Sequence, residues 1–317
     1  MSPRGAETVH SFTCFGGVSC IRVGGDSASG RTAALAALLA QARLLDVHRR
    51  LSRFAPDSDL ARLNADPHAV VAAGRLLRLL ADAVVDAGER SGGLVDATRL
   101  NELERAGYRA SRAEAAGLAL DEIIASAPAP RPAAAHPAAA WRTIAVDHGA
   151  RTITRPAGLR IDSGGLGKGL AADLVADALR DHPLVAIDCS GDVRIGGTAG
   201  VARPVLVEDP FGGEPLHEFT IADGAVATSG IGRRSWRGAG GAVAHHLLDP
   251  ATGLPAWTGV VQATALAPTA LEAEVLAKTA LLAGPRRGRD ALVHGGVLVL
   301  ADRSVDVVAA RPDRIAA

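Results

Sequence analysis

The sequence predicts an α+β fold of mixed sheets and packed helices, and three observations predict it. An Ala/Leu-rich part with helical spacing, about residues 30–120, precedes a strand-rich part, about 141–310. The strands and helices do not alternate as regular βαβ units, which argues against a doubly wound parallel sheet. A hydrophobic content of 48% over 317 residues is ample for a buried core.

Residues 10–23 alternate loosely and read as a strand interrupted at Gly16 and Gly17. Residues 32–51 carry Leu35, Leu38, Leu39, Ala42 and Leu45 at helical spacing. A turn over 52–60 stops that helix, and Asp57 or Ser58 is placed to cap a short helix through Asn64. Residues 70–90 read as another long helix, ended by Ser91, Gly92 and Gly93, where glycine tolerates positive φ. The Pro/Ala-rich stretch 126–140 reads as a mobile connector between the helical first part and the strand-rich second part of a single unit. Beyond it, 142–146 and 151–154 flank a hairpin turn, and 159–162 reads as a short strand. A glycine turn over 164–169 opens a helix over 170–179. An apolar strand over 184–188 then enters Ser190, Gly191 and Asp192. Further strands run to about Ala265, a helix covers 271–283, and 296–300 with 305–309 form a last pair of strands.

Lys+Arg and Asp+Glu both number 34, so no global field draws the chain to nucleic acid or an anionic membrane. A polyanionic ligand must be held by a local site. Cys14, Cys20 and Cys189 have neither a disulfide framework's spacing nor a zinc pattern, and read as small buried hydrophobes. No uninterrupted apolar run reaches the roughly 18 residues of a membrane span. Residues 1–9 are polar and lack an apolar h-region. These features lead us to expect a cytoplasmic protein with no nucleic-acid partner and no membrane anchor.

Three segments carry chemistry. In 161–173 a strand ends on Asp162, glycines follow, and a helix opens after Lys168. Such a turn bares backbone N–H groups and a helix's positive end toward a phosphate. It is not a P-loop, because position 162 is Asp and Gly follows Lys168; nor does it supply Gly-x-Gly-x-x-Gly. The plainer alternative is a tight strand-to-helix connection. The second segment gathers Thr228, Ser229, Arg233, Arg234, His245 and His246, then Asp249-Pro250-Ala251-Thr252-Gly253. A neutral His can take a proton and Arg can fork onto phosphate, although Asp-Pro-x-Thr-Gly is also a strong turn. The third places Glu274 and Lys278 four apart on one helix face, which is equally the spacing of an ordinary ion pair.

In this order the segments resemble the FAD:protein FMN transferases, the ApbE-type family. Asp162 to Asp173 match its Asp-x-Gly-Gly-x-x-Lys-Gly-x-x-x-Asp segment, and Ser190-Gly191-Asp192 its Gly-Gly-Asp. Thr228 to Gly230 and His246 to Gly253 match its Thr-Ser-Gly and His-x-x-Asp-Pro-x-Thr-Gly. Residues 53–64, 92–98 and 15–17 look like its N-terminal motifs, and 273–278 loosely like its Ala-Asp-Ala-Leu-Ala-Thr helix. The resemblance implies a Mg²⁺-dependent enzyme that cleaves FAD, joins FMN to a Thr or Ser hydroxyl of an acceptor flavoprotein, and releases AMP. It implies that Phe15, Phe54, Val95, Asp96, Ala97, Asp162, Lys168, Thr228 and Leu248 bind FAD. It places the metal between the Gly165 carbonyl and the helix bearing Glu274, Ala277 and Lys278, with His246 and Glu274 catalytic. Relatives have Asp at 274 and Thr at 278; a charged lysine cannot ligate, and could instead pair with Glu274 or take the metal's place. A non-catalytic FAD-binding protein and an FAD pyrophosphatase are the competing readings.

Overall fold

The computed structural model describes residues 7–111 and 117–311, so most of the polar stretch at the N-terminus lies outside the described residues. Strand β1 (Glu7–Cys14) pairs with β2 (Gly17–Gly24) in a register that leaves only Phe15 and Gly16 for the turn. Both have positive φ, 54° and 78°, as a tight two-residue hairpin turn demands. The interrupted strand of the sequence reading is therefore two strands.

Helix α1 (Ala33–Leu51) is capped by Thr32, whose side chain accepts from the Leu35 N–H. Its buried face is Ala36, Ala37, Ala40, Leu44, Val47 and Leu51, and it packs on β1, β2 and a helix from the second half. The leucines that signalled the helix, Leu35, Leu38, Leu39 and Leu45, are exposed. Ser58 caps α2 (Asp59–Ala65). The expected helix over 70–90 divides into β3 (Val70–Ala72) and α3 (Arg75–Arg90), with Gly74 between them. β-branched Val70 and Val71 pair in an edge sheet instead of extending the helix. Two short helices follow, α4 (Leu100–Arg105) and α5 (Leu120–Ser126).

The stretch 126–140 is pinned, contrary to its reading as a mobile connector. The Arg131 N–H donates to Trp257 O, Ala133 N–H to Leu282 O, and Ala134 N–H to Asp249 Oδ1. Next, β4 (Ala145–Asp147) and β5 (Thr152–Thr154) form the expected hairpin, and β3 joins it in the order β3-β5-β4. Residues 159–162 form no strand. Asn64 bridges both backbone groups of Ile161, and the Asp162 N–H donates to Ala97 O. Side-chain and loop partners thus satisfy an extended backbone that pattern alone reads as a strand.

Helix α6 (Gly167–Ala178) begins three residues earlier than the glycines suggested. It leads to the hairpin β6 (Leu184–Cys189) and β7 (Asp192–Gly196), then to the hairpin β8 (Arg203–Val207) and β9 (His217–Ile221). Strand β10 (Gly224–Gly230) follows, then the small pairs β11 (Ser235–Arg237) with β12 (Val243–His245) and β13 (Leu248–Asp249) with β14 (Leu254–Pro255). Strand β15 (Val260–Ala267) precedes α7 (Ala270–Ala291), which kinks at Gly284 and Pro285 and so runs past the predicted end. Strands β16 (Gly296–Leu300) and β17 (Val305–Val308) close the fold.

Among the described residues eight strands form one antiparallel sheet, ordered β1-β2-β6-β7-β10-β15-β16-β17. Helices α1, α6 and α7 cover one face, over a core that includes Ile21, Ile187, Ala225 and Ala227. The β8–β9 hairpin covers part of the other, over Ile195 and Val226. α6 crosses the start of α7 at backbone contact. A Cβ on Gly169 would lie 2.6 Å from both Ala270 O and Leu271 Cα. Asp173, one turn on, accepts the N–H groups of Ala270 and Leu271 at 2.8 and 2.9 Å. Since neither backbone can yield cheaply, Gly169→Ala is expected to lower stability by about 1–3 kcal/mol, read as a lower urea midpoint with unchanged slope. An unchanged midpoint would show that the crossing has slack.

Candidate active site

An open cleft enclosing about 1340 Å³ of atom-free space, its mouth included, lies where the glycine turn meets the loops of both halves. Phe15 at the β1–β2 turn, Phe54, Val95, Asp96, Ala97 and Leu248 line it. So do Asp162, Gly165, Lys168, His246 and Lys278. Segments far apart in the chain thus converge on one cavity.

Aromatic residues make up only 3% of the chain, yet several gather here. Phe54 meets Tyr108 edge-to-face at 5.6 Å, and Tyr108 stacks on Trp236 at 5.4 Å. The Arg53 guanidinium sits 4.1 Å from the Phe54 ring centre and 4.7 Å from that of Tyr108. Arg53 Nε pairs with Asp162 at 3.0 Å, and Nη2 donates to Tyr108 O. Asp162 therefore already holds a partner, and the Asp96 carboxylate accepts from the Thr98 N–H and hydroxyl. Sequence reasoning missed Arg53 and Tyr108. The signal for Arg53 was its place beside Phe54 in the predicted turn; Tyr108 gave none, because its role needs the folded contact with Trp236.

The charged wall is built on the α6–α7 crossing. Lys168 Nζ lies 2.8 Å from Asp192 Oδ2, and Asp192 is 1% exposed. Burial pushes the Asp192 carboxyl up to about 6 despite Lys168 beside it. Burial also works against the Lys168 charge, but Asp192 and Glu274 outweigh it and hold the ammonium above the usual lysine value. Glu274, 1% exposed, accepts from the Gly169 N–H with Oε2 and from Lys278 Nζ with Oε1, both at 3.0 Å. Burial disfavours its charge, yet Lys278 and Lys168 hold its carboxyl below the usual range.

His246 reaches the cleft from the loop after β12, and its Nδ1 is buried without a hydrogen-bond partner among the described residues. Burial, then the Arg234 charge, push its pKa well below the ordinary value, so the ring is neutral. Its neighbour His245 is structural. It is fully buried, with Nε2 3.1 Å from Ala256 O, and Nδ1 accepts from the Leu247 N–H. That pattern fixes the neutral Nε2–H tautomer, and burial lowers its pKa to about 4.

Three expected residues stand elsewhere. Thr228 bonds Thr264 hydroxyl to hydroxyl at 2.8 Å. Strand alternation puts it on the sheet face away from α7, because Ala227 faces the helices and Val226 the opposite core. Ala277 is fully buried on the inner face of α7, and Glu274 lies behind Lys278, off the cleft wall. The implied magnesium place also differs from expectation. Lys278 Cε would lie 3.1 Å from a Cβ on Gly165, and Nζ 4.0 Å, so the ammonium fills the space between Gly165 and Glu274. Both Glu274 oxygens already accept hydrogen bonds. Among the described residues no three His, Cys, Asp or Glu side chains are grouped to hold a metal. With an ammonium in that space paired to its one nearby carboxylate, this donor set does not fit a divalent cation, which wants hard oxygen ligands.

A sequence model of the ApbE family matches residues 19–300. A protein of Treponema pallidum named FAD:protein FMN transferase is 31% identical over 142 residues, 40% of this chain and 39% of that protein. One of the same name from Escherichia coli K12 is 27% identical over 147 residues, 44% and 42%. The matched stretch thus spans about two-fifths of these curated relatives' length. The solved structure of an ApbE protein from Thermotoga maritima superposes with a TM-score of 0.77 at 22% identity, covering 95% of this chain and 97% of that one. The flavin transferase ApbE of Vibrio cholerae gives 0.72 at 19%, covering 98% of each. At these identities the structural likeness is one of fold.

The buried imidazole beside the site has a measurable consequence. Folding lowers the His245 pKa from 6.5 to about 4, so the native state binds fewer protons than the unfolded chain between those values. Its contribution to stability is complete above pH 6.5 and is lost as the pH falls toward 4, by about 3 kcal/mol. Asp192, raised from 3.8 to about 6, acts in the opposite sense over much of this window, so the difference between wild type and His245→Gln isolates the histidine. Urea unfolding at stepped pH should show that difference shrinking on acidification; a difference independent of pH would refute the assignment.

Proposed function

Because this chain belongs to the ApbE family, we propose that it cleaves FAD and transfers FMN to a Thr or Ser hydroxyl of an acceptor flavoprotein, releasing AMP. The observation that carries this reading is the convergence of Lys168, Lys278 and Arg234 with a neutral His246 on one cleft that also carries aromatic surface. A flavin nucleotide combines a large planar ring with a dianionic diphosphate, and needs both kinds of wall.

In the proposed reaction the acceptor hydroxyl oxygen bonds to the FMN-side phosphorus while the bond from that phosphorus to the bridging oxygen breaks. AMP leaves with the bridging oxygen, and the hydroxyl proton passes to a ring nitrogen of His246. Phosphoryl transfer rests mainly on positioning and charge neutralisation. Lys168 at the N-terminus of α6 supplies positive charge where the helix dipole favours an anion. Arg234, held by its bond to Phe15 O, ties the β1–β2 turn to the same wall. Phe15, Phe54 and Leu248 supply apolar surface for the ring. The family resemblance brings Mg²⁺ with it, but the donors around Glu274 do not fit a divalent cation, and no step is assigned to one.

His246→Ala is expected to lower the transfer rate by about 10²-fold while leaving FAD affinity within about threefold. The measurement mixes protein, FAD and a candidate acceptor flavoprotein, reads in-gel flavin fluorescence, and counts AMP by chromatography. Bound FAD with no AMP under any condition would favour a non-catalytic binder. AMP and free FMN without acceptor would favour a pyrophosphatase.

A further inference from the structure

We propose that the Lys278 ammonium is the resident cation of the diphosphate site, standing where a divalent metal would otherwise be held. The proposal rests on the flavin nucleotide reading above and deepens it. Three geometric observations support it. Lys278 lines the cleft and its Nζ is 3.0 Å from Glu274 Oε1, so the positive charge is anchored at one end and faces the ligand space with the other. Its Cε packs close to Gly165, where an added Cβ would lie 3.1 Å away and force the lysine to shift by a few tenths of an ångström. Glu274 Oε2 accepts from the Gly169 N–H and Oε1 from Lys278, so both carboxylate oxygens are already engaged within the protein.

The arrangement is a tethered substitute for a metal ion. An ammonium offers three N–H donors. One is spent on Glu274, leaving donors for two diphosphate oxygens. The i, i+4 spacing on α7 fixes the tether, and the kink at Gly284 begins beyond it. Lys168, at the start of α6, supplies a second ammonium to the same cleft, paired with the buried Asp192. Each lysine thus has a carboxylate behind it and the cleft in front. A divalent ion entering here would have to displace an ammonium that makes a buried ion pair.

The test uses the full chain, Mn²⁺ as the metal probe and FAD as the ligand. Mn²⁺ uptake is followed by the loss of its free-ion resonance signal, and FAD affinity by flavin fluorescence in EDTA and in Mg²⁺. Wild type saturated with FAD should take up no Mn²⁺ at submillimolar concentration, and its FAD affinity should be the same in EDTA and in Mg²⁺. Lys278→Thr should lose about tenfold in FAD affinity in EDTA and regain it with Mg²⁺, with one equivalent of Mn²⁺ bound. The wild-type measurements stand without the variant, should it fail to fold. One equivalent of Mn²⁺ on the wild-type complex, or FAD affinity that collapses in EDTA, overturns the proposal and leaves the flavin reading intact. Failure of wild type to bind FAD in either buffer overturns both.

Discussion

The crossing of α6 over the first turn of α7 is the contact on which the charged wall depends. With hydrogen as its only side chain, Gly169 lets the two backbones touch. Asp173 then locks the angle by accepting two N–H groups at the α7 N-terminus, where the dipole favours a carboxylate. The lock is not free: burial leaves the Asp173 carboxyl above its usual value even with two backbone donors and Arg194 pulling it down. Lys168 stands one residue before the contact and Glu274 one turn beyond Ala270. The geometry of two helices thus becomes the geometry of two charges.

Those charges alternate. Asp192, Lys168, Glu274 and Lys278 form a quartet whose carboxylates are each 1% exposed in their side chains, while the ammonium groups keep 15% and 11%. The negative groups are hidden and the positive ones face the cleft. Removing one partner of such a buried pair typically costs about 3–5 kcal/mol, because the other charge is left uncompensated. A chain of zero formal net charge can therefore present a cationic wall by orientation alone.

Much of this was legible where the constraint is local. The glycine turn, the Ser58 cap, the Ser91-Gly92-Gly93 stop and the hairpin around 147–150 each depend on a few adjacent residues. Reading failed where a distant partner decides. The leucines of α1 gave the correct helix but the wrong face, because alanines allow α1 to lie close to β1 and α6. Val70 and Val71 joined β5, a partner more than eighty residues away in sequence. The 126–140 stretch looked like a linker by composition, yet backbone bonds to Trp257 and Leu282 hold it against the loop before β15 and against α7. Thr228 illustrates the same limit inside the site: its motif placed it near the ligand, and a period of two turned it to the opposite face.

The neutral imidazole of His246 follows from the same arrangement. Burial is the main cause of the depressed His246 pKa, and the charges of Arg234 and Lys278 in the cationic wall add to it. That keeps the ring unprotonated, but a base so strongly depressed is also a weak one. In the proposed reaction the bound diphosphate relieves the electrostatic part of this, because its negative charge offsets the same cations and stabilises the imidazolium. In that proposal the ring is a stronger base when the anion is present, while burial continues to oppose its protonation. A hydroxyl entering the empty cleft meets a poor proton acceptor, and one entering the filled cleft meets a better one.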